Sequence, residues 1–267
     1  MKLSSHLIFV LFFTISQAQN NIETKFSPPA GYERIYNDEY SKFLRQHPLK
    51  NDNVVYYSNG KRKYYKFNNK KIWAAVFDYD IGKRDLHQCA DAAIYLRAAY
   101  HYSKGPKFYD RLAYSFTNGY ITSYNDWLSG KKISIIQNGT DVLITDGDKR
   151  EDNYMSFRKW LDLVFTYAGT WSINEYDLDP VSISDIKPGD VFVEGGFPGH
   201  AVSVVDVAVN SNNKKVFMLA QSFMPAQEQH VLLNPKDNTV WYKLDNSEII
   251  NTPEYTFESN QLRRFRN

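Results

Sequence analysis

Residues 186–206 read IKPGDVFVEGGFPGHAVSVVD and predict two β-strands joined by a glycine-rich loop. Pro188-Gly189 forms the turn into the first strand, because proline and glycine favour the dihedral angles of tight turns. His200 then opens a long second strand that is rich in β-branched residues. The glycines and the proline before it keep bulk away from the imidazole. This stretch therefore predicts a hairpin with a histidine at its open end.

A third strand is predicted over residues 215–223, after an asparagine-rich turn. If Val209 pairs with Lys214 across that turn, the register places Gln221 on the same face as His200 and diagonal to it. A slip of one residue would move Gln221 to the other face of the sheet. The register thus predicts that a long polar side chain reaches the histidine ring.

Asp206 is the alternative partner for His200, because a carboxylate that orients a histidine is a familiar arrangement in hydrolases. The two residues lie on one predicted strand, where a rise of about 3.3 Å per residue separates them by about 20 Å. That separation is far beyond hydrogen-bond distance. We therefore expect Asp206 not to contact His200.

The N-terminus predicts export. Lys2 precedes an apolar run from Leu7 to Ile15, and Ser16 and Ala18 follow at the spacing that a signal peptidase recognises. The run is about ten residues long, too short to cross a hydrocarbon layer of roughly 30 Å. We predict a signal peptide over residues 1–18, a periplasmic or secreted protein, and no membrane anchor after cleavage.

The composition supports a folded domain, since 43% of the residues are hydrophobic and 16% are aromatic. The 32 basic and 30 acidic residues are spread along the chain and give a net charge of +2. This pattern lacks the basic stripe of a nucleic-acid-binding protein, so no nucleic-acid partner is predicted. Residues 19–31 are polar and contain Pro-Pro, which predicts a flexible lead-in. A single α+β domain is predicted over residues 32–267.

Periodicity predicts further elements on both sides of the hairpin. Amphipathic helices are expected over residues 39–47 and 154–168. A buried strand is expected over residues 73–79. Between residues 111 and 146, short β-like runs alternate with turn residues, which is typical of a set of hairpins.

A helix is also predicted to begin between Asp85 and Gln88, whose spacing is that of a capping box. Apolar or small residues then recur with the period of one helical face, at positions 89, 92, 93, 96, 99 and 100. Cys89 therefore lies in the first turn and faces the protein interior. The macrodipole and the unpaired N–H groups of a first turn favour an anion, so we expect a lowered pKa for the Cys89 thiol.

Cys89 is the single cysteine of the chain. Exported proteins commonly carry paired cysteines. A lone cysteine is a small buried residue, an intermolecular thiol or a nucleophile. Free cysteine is among the most buried residue types, which keeps the packing interpretation open.

The order of these features is similar to the papain-like layout of bacterial cell-wall peptidases and amidases of the NlpC type. In that family a cysteine at a helix N-terminus attacks an amide carbonyl, a histidine takes its proton, and a third polar residue fixes the imidazole. The resemblance implies Cys89 as nucleophile, His200 as base and Gln221 as the orienting residue. It also implies an α+β, papain-like fold, in which the helix bearing the cysteine packs on an antiparallel sheet bearing the histidine.

A longer resemblance, from about residue 33 to residue 265, is to a bacterial family known as domain of unknown function 4846. Its marks are FLR at 43–45, PLK at 48–50, RDLHQCADA at 84–92, LRA at 96–98, FTYAGT at 165–170, PGHA at 198–201, QSFMPAQ at 221–227 and TPE at 252–254. The resemblance implies a fold and an export route. It implies no reaction.

Several residues are candidates for binding a substrate beside the cysteine. The N–H groups of Cys89 and Gln88 are candidates for receiving a developing oxyanion. Tyr79 follows a predicted strand and is a candidate for lining the same pocket, with a buried strand aromatic as the alternative. Gln227 and His230 are candidates for the pocket wall, with loop packing against the sheet edge as the alternative.

His87 lies two residues before Cys89 and points to a different side of the helix, so we expect it to be exposed. The sequence has no Cys-x-x-Cys or His-Glu-x-x-His spacing, so no metal is predicted. No Gly-x-Gly-x-x-Gly opens a helix after a strand, so no nucleotide cofactor is predicted either.

Two functions from different classes follow. The first is an exported papain-like thiol hydrolase, a peptidase or amidase whose substrate is a peptide or a cell-wall fragment. The alternative is a catalytically silent protein of the same fold that binds a cell-wall glycan or peptide. Such a binder would use the aromatic surface that 20 tyrosines and 5 tryptophans provide.

Overall fold

The computed structural model describes residues 20–64, 71–243 and 248–266. The α-helices in these ranges are α1 (Ile22–Lys25), α2 (Glu39–Gln46), α3 (Cys89–Ser103), α4 (Tyr124–Leu128), α5 (Tyr154–Tyr167) and α6 (Thr170–Ser172). The strands are β1 (Tyr32–Arg34), β2 (Trp73–Val76), β3 (Ala113–Ser115), β4 (Ile121–Ser123), β5 (Lys132–Ile136), β6 (Asp141–Thr145), β7 (Leu178–Pro180), β8 (Val191–Glu194), β9 (His200–Asn210), β10 (Lys215–Gln221), β11 (His230–Leu232), β12 (Tyr242–Lys243), β13 (Ile249–Asn251), β14 (Thr256–Glu258) and β15 (Leu262–Phe265). The predicted signal peptide lies outside the described residues. Within the described ranges no helix is long and apolar enough to cross a membrane.

A single large sheet organises the fold around β9. Its strand order is β2-β11-β10-β9-β8-β15-β7, with β1 paired to the C-terminal end of β9 and β12 paired to β10. The described pairings in this sheet are antiparallel. All residues of β9 except the last are buried, so both faces of this strand are covered. The predicted α+β class is confirmed.

The two faces of β9 contact different layers. Helix α3 packs on one face, where Ala201 belongs to the larger core cluster. Val202 and Val204 face the other side, where they pack with Phe257 of the β13–β14 hairpin. Because side chains alternate along a strand, His200 shares the face of Val202 and not that of the helix. The thiol of α3 and the imidazole of β9 therefore approach each other only around the end of the strand.

Helix α5 confirms the predicted helix over residues 154–168 and supplies aromatic residues to the larger core. Trp160 is fully buried and packs against Tyr124 with ring centroids 5.4 Å apart. Phe157 stacks on Tyr102 of α3 at 4.2 Å, which holds the two helices together. Such ring pairs stabilise a core by about 0.5–1.5 kcal/mol beyond the area that they bury.

The β9–β10 hairpin reaches the predicted register by an indirect route. Val209 pairs with Lys215, one residue beyond the predicted partner. A bulge after Met218 removes this offset, because β9 carries one extra residue there. Beyond the bulge Ala220 pairs with Ser203, in the predicted register. The prediction is therefore wrong at the turn and right at the end of the hairpin that matters for the histidine.

The other predicted elements are largely confirmed. The helix over residues 39–47 is α2, and the strand over residues 73–79 is the shorter β2. The hairpins predicted between residues 111 and 146 are β3–β4 and β5–β6. In the β5–β6 turn Asn138 and Gly139 have φ angles of 57° and 95°, a region that asparagine and glycine tolerate better than other residues.

The predicted flexible lead-in, residues 19–31, is wrong for its described part. Asn20 donates hydrogen bonds to the carbonyl of Leu49 at 3.1 Å and to that of Lys50 at 2.9 Å. Ile22 in α1 is fully buried in the core. The sequence of residues 19–31 did not predict this packing, because a single apolar residue in a one-turn helix produces no periodic pattern.

Asp206 lies on β9 six residues from His200 and contacts other parts of the chain. Its Oδ2 accepts a hydrogen bond from Arg34 Nε at 2.6 Å, and its Oδ1 lies 3.8 Å from Arg45 Nη1. The carboxylate is fully buried. Asp206 thus joins β9 to the N-terminal part of the chain and takes no part in orienting His200.

Candidate active site

Cys89 is the first residue of helix α3. Gln88 is the N-cap, and its backbone N–H donates to Asp91 Oδ2 at 2.9 Å. The predicted helix start at Asp85 is wrong, because Asp85 instead accepts a hydrogen bond from the N–H of Ala226 at 2.6 Å. Cys89 lies in the first turn as predicted, and it is closer to the helix end than the capping pattern indicated.

The sulfur of Cys89 lies beside the backbone at the start of β9. It accepts a hydrogen bond from the N–H of Ala201, and the N–H groups of Ala90 and of Cys89 itself also stabilise negative charge on it. The nitrogen of Ala201 is bonded to the carbonyl carbon of His200. The sulfur therefore contacts the peptide group that joins His200 to the next residue.

The end of the sheet opens where the helix arrives. Strand β10 ends at Gln221, and the hydroxyl of the following Ser222 donates to the carbonyl of His87 at 2.8 Å. The same hydroxyl lies 2.6 Å from the carbonyl of Gln227. These contacts hold the N-terminus of α3 at the point where β10 leaves β9, and they place the thiol at the histidine-bearing end of the sheet.

The thiol of Cys89 is protonated at neutral pH. Burial raises its pKa to about 11, and the charge of Asp91 acts in the same direction. The N–H groups around the sulfur act the other way without offsetting the lost hydration. The predicted lowering of this pKa is therefore wrong. A base is needed to make Cys89 a nucleophile.

We expect Asp91→Asn to make Cys89 react with iodoacetamide at lower pH than in the wild type. Burial raises the pKa of the Asp91 carboxyl well above its usual range, and its ionised form then opposes formation of the thiolate. Asparagine keeps an oxygen that accepts from the Gln88 N–H and carries no charge. The labelling rate between pH 7 and pH 11, read by mass spectrometry, measures the shift.

The control is Asp148→Asn, which removes an exposed carboxylate from the loop after β6. We expect its labelling curve to match that of the wild type. Coincident curves for the wild type and Asp91→Asn would show that Asp91 does not act on the thiol.

The ring of His200 is held by Gln221. The distance from His200 Nε2 to Gln221 Oε1 is 2.8 Å, and both side chains are 1% exposed. Among the described residues Nδ1 makes no hydrogen bond. Burial lowers the pKa of His200 to about 4, the Gln221 hydrogen bond opposes that change, and the charge of Lys63 adds to it. At pH 7 the imidazole is neutral and has one nitrogen available to accept a proton.

Aromatic residues surround the imidazole on the hairpin side of the sheet. Its ring centroid lies 4.6 Å from that of Phe223, 5.1 Å from that of Tyr255 and 6.0 Å from that of Phe257. The phenol of Tyr255 has a raised pKa, caused by burial, by Glu194 and by the charge of Cys89. Tyr255 therefore lies near both the ring and the thiol.

An open cavity of about 580 Å³ lies beside the thiol. Its lining residues are Asp85, Leu86, Gln88, Cys89, Ala90, Asp91, Thr117, Phe165, Thr166, Ala168, Gly169, Thr170, Trp171, Gly196, Phe197, Gly199 and Met224. Three large apolar side chains among them are strongly exposed: Phe197 at 95%, Met224 at 49% and Trp171 at 47%. Exposed apolar residues grouped at one cavity are typical of a binding site.

Four of the eight sequence strings that carry the family resemblance contribute to this cavity. Residues 84–92, 165–170 and 198–201 each contribute lining residues, and residues 221–227 contribute Met224. These four strings are far apart in the sequence, and the fold brings them to one place.

Two of the predicted substrate-binding residues line a cavity. Gln88 lines the cavity of Cys89. Gln227 lines a neighbouring cavity that shares Met224 with it. His230 is fully buried instead, with Nδ1 at 2.8 Å from the carbonyl of Glu228 and a pKa lowered well below its usual value by burial.

Tyr79 lies behind the cavity and not on its wall. Its hydroxyl donates to Gln229 Oε1 at 2.6 Å and lies 3.0 Å from His87 Nε2. A hydroxyl has one proton, so His87 Nε2 is the donor in the second contact. The predicted exposure of His87 is wrong, because the residue is fully buried and burial lowers its pKa to about 3. Tyr79 thus links Gln229 to His87, which lies just before the start of α3.

The predicted oxyanion donors are reduced to one by the capping interaction. The N–H of Gln88 is occupied, since it lies 2.8 Å from the carbonyl of Leu86 and 2.9 Å from Asp91 Oδ2. The N–H of Cys89 remains beside the sulfur. The sequence reasoning missed the N–H of Ala201, although its position directly after the candidate base was a usable signal.

Within the described ranges, no three His, Cys, Asp or Glu side chains are grouped so that they could hold a metal ion. The groups described around Cys89 are a thiol, an imidazole and backbone N–H groups. These groups suit nucleophilic attack on a carbonyl.

The fold and site thus define an α+β protein with a helix-terminal cysteine beside a strand-borne histidine. A family model described as "Domain of unknown function (4846)" matches residues 22–264, and the chain belongs to this family. The family resemblance inferred from the sequence is confirmed. No curated protein and no solved structure matches the chain.

Proposed function

We propose that this protein is an exported thiol hydrolase with a papain-like site, a peptidase or amidase that acts on cell-wall peptides. One observation supports this proposal most directly. The sulfur of Cys89 accepts the N–H of Ala201 at the strand end where Gln221 orients the ring of His200. Cys89 lines an open cavity, and the buried pair of His200 and Gln221 lies at the strand end that its sulfur contacts.

In the proposed reaction, His200 Nδ1 takes the proton of Cys89 while the sulfur bonds to the carbonyl carbon of the substrate amide. The N–H of Cys89 donates to the oxyanion. The C–N bond then breaks as His200 returns the proton to the leaving amine. Water next loses a proton to His200 and attacks the thioester. The C–S bond breaks, the acid leaves, and the sulfur regains a proton from His200.

The cavities around Cys89 support an extended substrate. The cavity of Cys89 shares Met224 with a second cavity of about 320 Å³. It shares Thr117 and Thr166 with a third cavity of about 620 Å³. Neighbouring cavities that share lining residues with the cavity of a nucleophile suit a chain of several residues, such as a stem peptide, better than a single small molecule.

Peptidoglycan fragments of graded length test the proposal. Incubation with the purified protein should give an acid and an amine whose summed mass exceeds that of the substrate by one water. Because two further cavities share lining residues with that of Cys89, fragments with longer stem peptides should be cut faster than short ones. A folded protein that leaves every fragment intact would contradict the proposed activity on cell-wall peptides.

We expect the acid limb of kcat/KM to have its midpoint near pH 4. Only the neutral imidazole accepts the thiol proton, and burial lowers the pKa of His200 to about 4. The rate should therefore stay level from neutral pH down to about pH 5 and fall as His200 becomes protonated. The measurement is kcat/KM from pH 3.5 to pH 8, with circular dichroism as the control for folding. A midpoint near 6.5, the ordinary pKa of histidine, would show that another group or an exposed ring is the base.

A catalytically silent binder is the second candidate, and one observation favours it. With pKa values of about 11 for Cys89 and about 4 for His200, neither group is charged at neutral pH. The exposed rings of Trp171 and Phe197 are suited to stacking against sugars. Calorimetric binding of glycan fragments by both the wild type and Cys89→Ala, with cleavage by neither, would favour the binder over the hydrolase.

A further inference from the structure

We infer that Glu254 and Lys63 are positioning residues that fix which nitrogen of His200 carries the proton. The described contacts form a chain of four side chains. His200 Nε2 lies 2.8 Å from Gln221 Oε1, and Gln221 Nε2 donates to Glu254 Oε2 at 2.7 Å. Lys63 Nζ donates to both oxygens of Glu254, at 3.0 Å and 2.7 Å.

The first step is the orientation of the Gln221 amide. An ionised carboxylate has only acceptor sites, so the NH₂ end of the amide must face Glu254. The reversed amide would place two acceptor oxygens 2.7 Å apart with no proton between them. Since Gln221 is 1% exposed, water cannot relieve that repulsion. The carboxylate therefore turns Gln221 Oε1 toward the imidazole.

The second step passes from the amide to the ring. Gln221 Oε1 can only accept, so His200 Nε2 must carry the hydrogen of their 2.8 Å contact. A neutral imidazole has one protonated nitrogen, which leaves the lone pair on Nδ1. Nδ1 is the nitrogen that the proposed reaction needs as its base. Glu254 thus determines the tautomer without touching the ring.

The third step concerns the charge of Glu254. Lys63 is 5% exposed, and its ammonium forms an ion pair with the Glu254 carboxylate at 2.7 Å. The ammonium also lies 5.9 Å from the ring centroids of Trp73 and Phe223. Tyr57 lines the same cavity as Glu254, and burial and the Glu254 charge raise its pKa. The Glu254 carboxylate that orients Gln221 is therefore fixed by its ion pair with Lys63.

This series of hydrogen bonds gives a role to Glu254, the last residue of the string TPE at 252–254, which takes no direct part in the proposed reaction. The inference rests on the proposed function for its effect on rate. Its effect on the tautomer is a property of the resting protein and needs no substrate.

The test is the tautomer of His200 in Glu254→Gln, read from two-bond ¹H–¹⁵N spectra at pH 7. In the wild type we expect one neutral tautomer with the proton on Nε2. Glutamine at position 254 offers both donors and an acceptor, so the Gln221 amide can turn and a mixture of tautomers should appear. If hydrolysis is present, kcat should fall on the order of 10- to 100-fold with KM nearly unchanged, the range found when partners that orient a histidine are replaced.

Two further variants sharpen the test. Glu258→Gln replaces an exposed carboxylate of β14 and should leave the tautomer unchanged. The double variant Q221E/E254Q places the carboxylate beside the ring and the amide beside Lys63. Because a carboxylate accepts from both neighbours, this variant should restore the single Nε2–H tautomer. Restoration would support the inference over a general loosening of the site.

The outcomes separate this inference from the proposed function. A wild-type ring protonated on Nδ1, or an unchanged tautomer in Glu254→Gln, would overturn it even if hydrolysis is found. Mixed tautomers in Glu254→Gln, with no hydrolysis by the wild type, would support it while contradicting the proposed function. The wild-type spectrum decides the question even if a variant fails to fold.

Discussion

Cys89→Ala is expected to abolish cleavage of peptidoglycan fragments, with a loss of turnover on the order of 10⁴-fold or more. The sulfur is the proposed nucleophile, since it accepts the N–H of Ala201 at the strand end where Gln221 holds the ring of His200. Alanine removes the nucleophile and leaves the helix terminus and cavity in place. Product formation by mass spectrometry, under conditions that detect the wild-type activity, measures the loss.

The controls separate loss of chemistry from loss of structure. Alanine is the better helix former, so Cys89→Ala should keep the thermal midpoint of the wild type within a few degrees. His200→Ala should also lose activity, on the order of 10²- to 10⁴-fold, because the thiol is protonated at neutral pH and depends on a base. Cleavage by Cys89→Ala at the wild-type rate would exclude Cys89 as the nucleophile.

Asp206→Ala is expected to lower the free energy of unfolding by about 3–5 kcal/mol, the cost of breaking a buried ion pair from one side. The carboxylate is fully buried and lies 2.6 Å from Arg34 Nε and 3.8 Å from Arg45 Nη1. Arg45 is itself 1% exposed, so alanine would remove the buried one of its two acidic neighbours and leave Glu23, 41% exposed and 3.7 Å from its Nε. Urea unfolding followed by tryptophan fluorescence measures the change.

Asp179→Ala is the matched control, because Asp179 pairs with Arg266 at 2.9 Å where both side chains are at least half exposed. Exposed pairs of this kind contribute less than about 1 kcal/mol, so this variant should unfold close to the wild-type midpoint. An Asp206→Ala protein as stable as the Asp179→Ala protein would show that β9 does not depend on the buried pair. The His200 tautomer should be the same in both variants.

Local periodicity was sufficient to predict the main helices and the strand that carries His200. The helical repeat after Cys89 is α3, and the repeat over residues 154–168 is α5. The alternation of strand residues also put Gln221 on the face of His200, where the structure has their 2.8 Å contact. That success depended on a bulge in β9, which corrects the register after the turn and which the sequence did not predict.

The pKa of Cys89 illustrates where local reasoning failed. A helix N-terminus favours the thiolate, and the sequence placed Cys89 in the first turn correctly, although the helix begins later than predicted. Burial by residues from the strands and loops around it has the larger effect and raises the pKa to about 11. Desolvation depends on what the rest of the chain places around a group, so the sign of the shift was not available from neighbours in sequence.

The contacts of the candidate site show the same limit. Lys63 and Glu254 are separated by 191 positions in the chain, and Gln221 is 33 positions from Glu254. No spacing rule joins residues so far apart. The packing of residues 20–31 was also hidden, because its stability comes from long-range bonds such as that from Asn20 to Lys50.

The stretch from residue 186 to residue 206 by itself determined a hairpin with a histidine at its open end, and the repeat after Cys89 determined a helix with the thiol in its first turn. Only the tertiary structure decided that the sulfur accepts the Ala201 N–H, that the thiol is protonated, and that Gln221 donates a hydrogen bond to Glu254. The reason is physical. Periodicity reflects hydrogen bonding between near neighbours, whereas burial and charge pairing are set by residues that the fold brings together from distant parts of the chain.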